Sequence, residues 1–346
     1  MQFKTKELYS AMLLTMAETY GVETVTEVYN VQPTIEQELI DKIVESDAFL
    51  STINMVPVDE IKGQKVMGSV TVSKGKRTDT SAGDREPADL IALGAKNYEL
   101  ASTEYDFALP WVTLDSWAKF PDFQDRYGQW VRKSIALSKI RTAWYGESAA
   151  PVTDDDSLMG EDTNKGFFQI LREYNSGSQF LTNTSIKIGS ETGNTYPNID
   201  SAVHDLLQLI DPIHRGPGLQ VYIGDDLLAD EKARLYAAHA GTPTEKEREK
   251  IESSIATFAG LPKAMTPAFF PGRAILIADP ANLSMYYQSG SMRRYQMDNP
   301  KRNRVEDFNS VNEGYVIEDE NAAAAIDFTK VYMHDGSKWL DSEGNE

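Results

Sequence analysis

The longest run of helical spacing constrains the fold more than any other feature of this sequence. Residues 121–145 predict a single helix of ~36 Å, at ~1.5 Å of rise per residue. Its apolar face is formed by side chains that recur at helical intervals, namely Phe123, Tyr127, Val131, Ile135 and Ile140. A helix of this length can serve as a strut for a domain.

The ends of this predicted helix carry the residues expected there. Pro121 lies in the first turn, where a missing N–H costs nothing. Acidic side chains lie near the amino end and basic ones near the carboxyl end, as the helix dipole favours: Asp122, Asp125, Lys133, Lys139 and Arg141. Gly146 is the predicted C-cap, and Asp115 is the predicted N-cap of a short preceding turn at 114–120.

Composition excludes several classes of protein. The chain has 346 residues and a formal net charge of −19, so it should be repelled by nucleic acids and by anionic membranes. It has 0 cysteines, which excludes disulfides, thiolate nucleophiles and cysteine-ligated metals. No apolar run approaches the ~18 residues of a membrane span. We therefore expect a soluble protein that is made in the cytoplasm.

Two helices are predicted at the start of the chain. Residues 1–30 contain an amphipathic helix that ends near Gly21, with Leu8, Met12, Met16 and Ala17 on one side. Two interpretations of this helix stay open: it is docked on the body, or it is a detachable arm that binds an assembly partner, since methionine surfaces adapt to different contacts. Pro33 precedes a second predicted helix at 34–50.

A long hairpin follows. Period-two alternation at 53–72 and again at 98–107 predicts two strands. The polar segment between them is either a surface loop or an arm that lies on a neighbouring subunit. Its basic side chains would suit an acidic patch on that neighbour: Lys74, Lys76, Arg77 and Arg85.

A second, mixed α/β region is predicted at 199–280, because helical segments alternate with short apolar strands. Asp200 or Ser201 is expected to cap its first helix, which ends at Ile210. The other predicted elements are a strand at 218–223, helices at 225–239 and 245–257, and a strand at 274–278. Strands at 284–287, 295–297 and 315–331 are expected to return to the first region.

No residue pattern predicts catalysis, a cofactor or a metal. The four histidines have no metal-binding spacing. Three consecutive aspartates, Asp154 to Asp156, lie in an acidic loop at 154–162, which favours a solvated turn over a calcium site. Carboxylate pairs such as Glu318 and Asp319 are expected by chance among 53 acidic residues.

One strong basic cluster occurs late in the chain. It contains Arg293, Arg294, Lys301, Arg302 and Arg304. Asp298, Glu306 and Asp307 neutralise much of its charge, and Tyr295 is its one interleaved aromatic residue. This pattern favours a subunit interface over a nucleic-acid site.

The chain resembles the major capsid proteins of tailed phages, specifically the phage P2 family, across residues 33–333. The resemblance rests on short segments that occur in the family's order. They include Asp47-Ala48-Phe49-Leu50, Thr113-Leu114-Asp115-Ser116-Trp117-Ala118, Leu227-Leu228-Ala229-Asp230, Gly260-Leu261-Pro262 and Asn299-Pro300. No single segment is specific, but their shared order is.

The resemblance implies an α+β, HK97-like capsid fold. Its expected parts are an N-terminal arm at 1–52, an extended hairpin loop at 53–108, a peripheral domain at 109–198 with the spine helix at 121–145, an axial domain at 199–280, return strands at 281–333 and a polar tail at 334–346. The acidic loop and the tail match nothing in the family pattern and receive no role.

The resemblance also implies a function. Copies of the chain would assemble as hexamers and pentamers of the icosahedral head of a tailed phage or prophage, enclosing double-stranded DNA without binding it specifically. An internal scaffold-protease and a portal protein would be partners, no membrane would be involved, and trimming would fall near Tyr29 and Asn30. Candidate intersubunit contacts are Lys74, Lys76, Arg77, Arg85, Arg293, Arg294 and Arg304. The alternatives are an encapsulin-like compartment shell and an acidic α/β hydrolase.

Overall fold

The computed structural model describes residues 2–70, 91–117, 120, 123–154, 156, 159–183, 185–238, 252, 255–342 and 344–345. Its helices are α1 Phe3–Tyr20, α2 Pro33–Val44, α3 Trp111–Trp117, α4 Phe123–Tyr145, α5 Phe167–Glu173, α6 Ile199–Leu209 and α7 Asp225–Ala238. None of them, within these residues, is long and apolar enough to cross a membrane.

The strands are short except around the hairpin and in the central sheet. They are β1 Tyr29–Asn30, β2 Asn54–Val58, β3 Lys62–Val70, β4 Ile91–Glu99, β5 Ala101–Glu104, β6 Phe107–Pro110, β7 Phe180–Leu181, β8 Ile186–Lys187, β9 Gln220–Ile223, β10 Thr257–Phe258, β11 Leu261–Pro262, β12 Ile275–Ala278, β13 Leu283–Gln288, β14 Arg293–Asn299, β15 Arg304–Ile317, β16 Ala324–Ile326, β17 Val331–His334 and β18 Trp339–Leu340.

The spine helix α4 confirms the helix predicted from spacing. Val131, Ile135 and Ile140 are buried on its inner face. Gly146 follows the helix and donates its N–H to the carbonyl oxygen of Thr142 over 2.9 Å. A Cβ at Gly146 would overlap backbone atoms of Thr142 and Asn164, so glycine allows the loop to approach the helix end.

The central sheet is organised around β15. This strand pairs antiparallel with β13, β14, β5 and β6, while β2 pairs parallel with β13 and β1 pairs antiparallel with β14. The core between this sheet and α4 is rich in aromatic side chains: Trp144 lies 5.0 Å from Phe270 and 5.8 Å from Phe167, centroid to centroid. We call this the spine core.

A second sheet has the order β7-β16-β12-β9. It packs with α6 around a core dominated by aliphatic residues, including Val203, Leu206, Val221 and Ile277, each with no exposed surface. We call this the axial core. The strand β16 corrects one expectation: residues 324–326 pair with β12 in this sheet, whereas 315–317 belong to the central sheet. Alternation along a strand does not encode which sheet the strand joins.

Local side-chain hydrogen bonds correct two predicted helix limits. The second helix ends at Val44 and not at residue 50, and Asp47 accepts from the N–H of Phe49 over 2.8 Å. The helix α6 is capped by Asn198, which accepts from Ser201 N over 2.9 Å, and not by Asp200 or Ser201. Short polar side chains near a helix end compete for the same N–H groups, so sequence left the choice open.

Two further expectations are corrected at or near helix ends. Thr257 lies in β10, so the helix predicted at 245–257 does not reach it, and residues 239–251 lie outside the described part of the chain. Asp115 lies inside α3 and is not an N-cap. Its carboxylate accepts instead from the backbone N–H of Gln2 over 2.9 Å.

Candidate assembly surfaces

A hairpin is present, but its strands differ from the two predicted: residues 54–58 and 101–110 pair within the central sheet, and β3 and β4 form the hairpin. The strands β3 and β4 run antiparallel from the pair Lys62 and Glu99 to the pair Val70 and Ile91. The basic residues predicted at its tip lie outside the described residues: Lys74, Lys76, Arg77 and Arg85. Their contact with a neighbouring subunit stays a prediction.

The base of the hairpin is attached to the central sheet by a buried lysine. Lys65 is 8% exposed, and its ammonium donates to the carbonyl oxygens of Ile317 and Glu318 and to Glu320. Burial lowers the pKa of Lys65, while the carboxylates of Glu318 and Asp319 raise it in part. The lysine therefore fixes this strand of the hairpin to the end of β15.

Arg294, from the basic cluster, makes its contacts within the chain. Its guanidinium donates to Asp307 Oδ2 over 3.1 Å and to the hydroxyl of Tyr20, whose ring lies 5.2 Å below the guanidinium carbon. Burial lowers the pKa of Arg294, but Asp307, Tyr20 and Tyr29 raise it further, so the net direction is upward. Within this single chain Arg294 joins the sheet to the N-terminal helix beside the buried Asp307, and its contact with a second subunit stays a prediction.

The other basic residues are divided between the chain and solvent. Arg304 donates to Glu306 Oε1 over 2.6 Å, and this bond holds the pKa of Glu306 below its ordinary value. Arg293, Lys301 and Arg302 are exposed. An intersubunit contact through Arg293 or Arg304 stays a prediction.

The N-terminal segment is docked on the body in this single chain. Tyr9 and Met12 of α1 pack in one cluster with Leu114 and Val305. Gly21 ends the helix with a φ of 64°, as its position predicted. Docking buries Met12 and Ala17 of the predicted apolar face but leaves Leu8 40% exposed, and detachment of the segment stays a prediction.

The predicted trimming region lies at the edge of the central sheet. Tyr29 and Asn30 form β1 and pair with Arg294 and Arg293. The preceding residues 26–28 are exposed and irregular, and Val28 is 68% exposed. A protease would therefore meet an accessible stretch directly before a two-residue strand.

A buried polar network escaped the sequence analysis. Lys139, expected at the dipole end of the spine helix, points inward and forms an ion pair with Glu313 of β15. The hydroxyl of Tyr105 donates to the same carboxylate, and Tyr315 donates to the carbonyl oxygen of Lys139 over 2.7 Å. The sequence could have indicated this inward position, because Lys139 follows Ile135 by four residues and so lies on the same, buried face of the helix.

The unassigned acidic loop and tail are both held against the body. The N–H groups of Glu147 and Ala150 donate to the carbonyl oxygens of Glu161 and Asp162, over 2.6 and 2.8 Å. The tail forms β18 beside β17, and Arg273 donates to Leu340 O over 2.6 Å. Among the described residues no cluster of three or more potential ligands could hold a metal ion.

Comparison with known proteins places these surfaces on a shell subunit. The family model described as "Phage major capsid protein, P2 family" matches residues 8–329. The chain is 32% identical to the "Capsid proteins" of Escherichia phage P2, covering 96% of both chains, and 30% identical to the "Major capsid protein" of Serratia phage KSP20, covering 93% of this chain and 96% of that one. Among solved structures, "Satellite phage P4 procapsid including size determination (Sid) protein" has a TM-score of 0.75 and 31% identity, covering 97% of this chain and 100% of that one.

Proposed function

This chain belongs to the P2 family of phage major capsid proteins, and from that premise we propose how it builds a phage head. It is a major capsid protein of a tailed phage with an HK97-like fold, and it forms part of the virion shell, where its role is structural. We propose that its copies form the hexamers and pentamers of an icosahedral shell. The observation that carries this proposal is the match of nearly the whole chain to a procapsid subunit. The compartment and hydrolase alternatives are not favoured.

Neighbouring copies would be joined by the hairpin arm and by opposite charges. Each copy carries a net charge of −19, while Arg293, Lys301 and Arg302 are exposed. Basic side chains that meet the acidic surface of the next copy would steer association and set register, more than they would add affinity. The tip residues Lys74, Lys76, Arg77 and Arg85 are proposed to act in the same way.

The packaged DNA would be enclosed and not held by specific contacts. An acidic chain offers phosphate groups little attraction, which suits a container whose contents must leave again. An internal scaffold-protease and a portal protein are proposed as further partners, on the basis of the family resemblance.

We propose that trimming occurs near Tyr29 and Asn30. The exposed residues 26–28 let a protease approach, and the short strand β1 would peel from β14 together with the flanking bonds that Val25 O accepts from Gln296 and that Val31 N donates to Met292. Removal of residues 1–30 would also remove Tyr20 from Arg294 and Met12 from Leu114. The arm and the body would then be separate products of one chain.

Electron microscopy and intact mass test this function together. The full chain would be expressed alone and with the scaffold-protease of the same phage. We expect closed shells in the second case, made of subunits whose mass corresponds to loss of residues 1–30. Monodisperse monomers under both conditions would contradict the proposed assembly. Shells of full-length subunits would support assembly and contradict trimming.

A further inference from the structure

Lys65 is buried where an arm residue would ordinarily be solvated. Lysine is almost never fully buried unless it is paired, since removing an ammonium from water is costly. Lys62, on the same strand, shows the ordinary case: it forms an ion pair with Glu99 over 2.6 Å, and its side chain is 71% exposed. The two lysines lie three positions apart on one strand, so they point to opposite faces of the hairpin and differ in what they contact.

The acceptors of Lys65 are all on one short segment. Its ammonium reaches Ile317 O, Glu318 O over 3.1 Å and Glu320 Oε1 over 3.3 Å. Three acceptors match the three N–H groups that an ammonium can donate. This segment is where β15 ends and the chain turns towards the axial sheet. A side chain of the arm therefore closes the end of the central strand.

The other strand of the arm has a different contact with the body. The ring of Tyr98 lies 5.2 Å from that of Tyr286, and the hydroxyl of Tyr286 donates to Glu318 Oε1 over 2.9 Å. The arm thus has a side-chain anchor on each strand, in addition to its chain connections to β2 and β5 of the central sheet. A two-stranded hairpin has little stability of its own, so these anchors, and not its internal pairing, must decide how it is held.

We propose that Lys65 sets the direction in which the hairpin arm leaves the body, and so selects the site on a second copy of this chain that the arm can reach. Without Lys65, the contact of Tyr98, the buried Leu100 and the continuation of β4 into β5 would still hold the arm along β4, but the arm could rotate about that strand. With Lys65 bound to the end of β15 as well, this rotation is blocked. Lys65 acts as a positioning residue, and this inference rests on the proposed shell assembly.

The substitution Lys65→Met tests the proposal, with Lys62→Met as the matched control. Methionine keeps an unbranched apolar stem of similar length and removes the ammonium. Because the chain has 0 cysteines, nitroxide labels can be placed through Ser69→Cys in the arm and Glu45→Cys in the body. Double electron–electron resonance on the unassembled subunit then gives the distribution of distances between arm and body.

We expect one narrow distribution for the parent chain and for Lys62→Met. For Lys65→Met we expect a distribution at least about twofold broader, as for a hinge with one restraint removed. Circular dichroism should be the same for all three. An unchanged width in Lys65→Met would overturn the proposal. If that variant loses its helical signal, Glu320→Gln takes its place, and an unchanged width there would overturn the proposal.

Shell formation gives the second readout. Lys62→Met should form closed shells at the parental yield, whereas Lys65→Met should lose most closed shells in favour of irregular or open assemblies. Closed shells of parental size and yield from Lys65→Met would overturn the link between arm direction and partner choice. Failure of the parent chain itself to form shells would instead contradict the proposed function and leave the label distances interpretable.

Discussion

The spine core and the axial core are held together in different ways. The spine core contains an ion pair with almost no solvent exposure, Lys139 with Glu313, whose side chains are 8% and 2% exposed, and this pair also contacts Tyr105. The axial core is aliphatic around α6, with Val203 and Leu206 fully buried. The first core therefore adds directional contacts to its apolar area, whereas the second depends on apolar area.

This difference indicates how precisely each core fixes the position of the elements that pack in it. An aliphatic core tolerates small shifts of one element on another, since apolar contact has no preferred direction. A buried ion pair exists only in one register, because a shifted partner would leave a charge without compensation. The spine helix is thus held at a defined position on β15. This strand belongs to the central sheet, to which the hairpin arm is also attached.

The largest expected effect follows from removing one partner of the ion pair. Lys139→Met should lower the free energy of unfolding by about 3–5 kcal/mol, because Glu313 then stays buried without its counter-charge. Urea unfolding of the unassembled subunit, followed by circular dichroism, measures the loss. The double variant Lys139→Met/Glu313→Gln should recover part of it. Lys133→Met, at an exposed position of the same helix, is the control and should change little.

A smaller effect is expected for the same kind of substitution in the axial core. Leu206→Met should cost less than about 1.5 kcal/mol, because methionine conserves volume in an apolar site. The same urea titration applies. A loss as large as that of Lys139→Met would mean that the axial core is equally specific, and the contrast between the two cores would fail.

The smallest effect concerns the pH dependence of Glu36, a buried acid that holds α2 against the turn after β13. Burial raises the pKa of Glu36, and hydrogen bonds from the N–H groups of Gly290 and Met292 offset part of the rise. A raised pKa in the folded state means that Glu36 contributes stability fully below its unfolded pKa and loses that contribution as the pH rises through its folded pKa. Relative to Glu36→Gln, the parent chain should therefore gain stability from neutral pH down to about pH 4.3. Parallel curves of unfolding free energy against pH for the two proteins would contradict a raised pKa of Glu36.

Sequence reasoning was strongest where the signal was local and repeated. The spine helix could be predicted because its apolar face recurs over Tyr127, Val131 and Ile135, and Asp125 lies in its first turn as the helix dipole favours. The strand β3 could be predicted from its alternating run, but β4 at Ile91–Glu99 lies mostly in the segment interpreted as polar, and the run at 98–107 forms strands that pair with β15 instead. The capsid family could be recognised because many weak segments occurred in one order.

Sequence reasoning was weakest where a residue had competing local partners or a partner far away in the sequence. Asn198, and not Asp200 or Ser201, caps α6, because the three polar residues compete within one turn. The contact of Arg294 with Tyr20 was not predicted, since nothing near Arg294 in the sequence indicates a partner 274 positions away. Lys65 looked like any arm lysine, because its acceptors lie more than two hundred residues away, with Ile317 separated from it by 252 positions.

The sequence by itself determined the spine helix, the hairpin, the acidic and cysteine-free character of the chain, and its family. Only the tertiary structure decided which charges are contacts and which are surface: Lys139 turns inward while Lys133 stays exposed, and Lys65 is buried while Lys62 is not. The physical reason is that periodicity and capping act over a few residues, whereas the cost of burying a charge depends on partners that only the folded chain brings together.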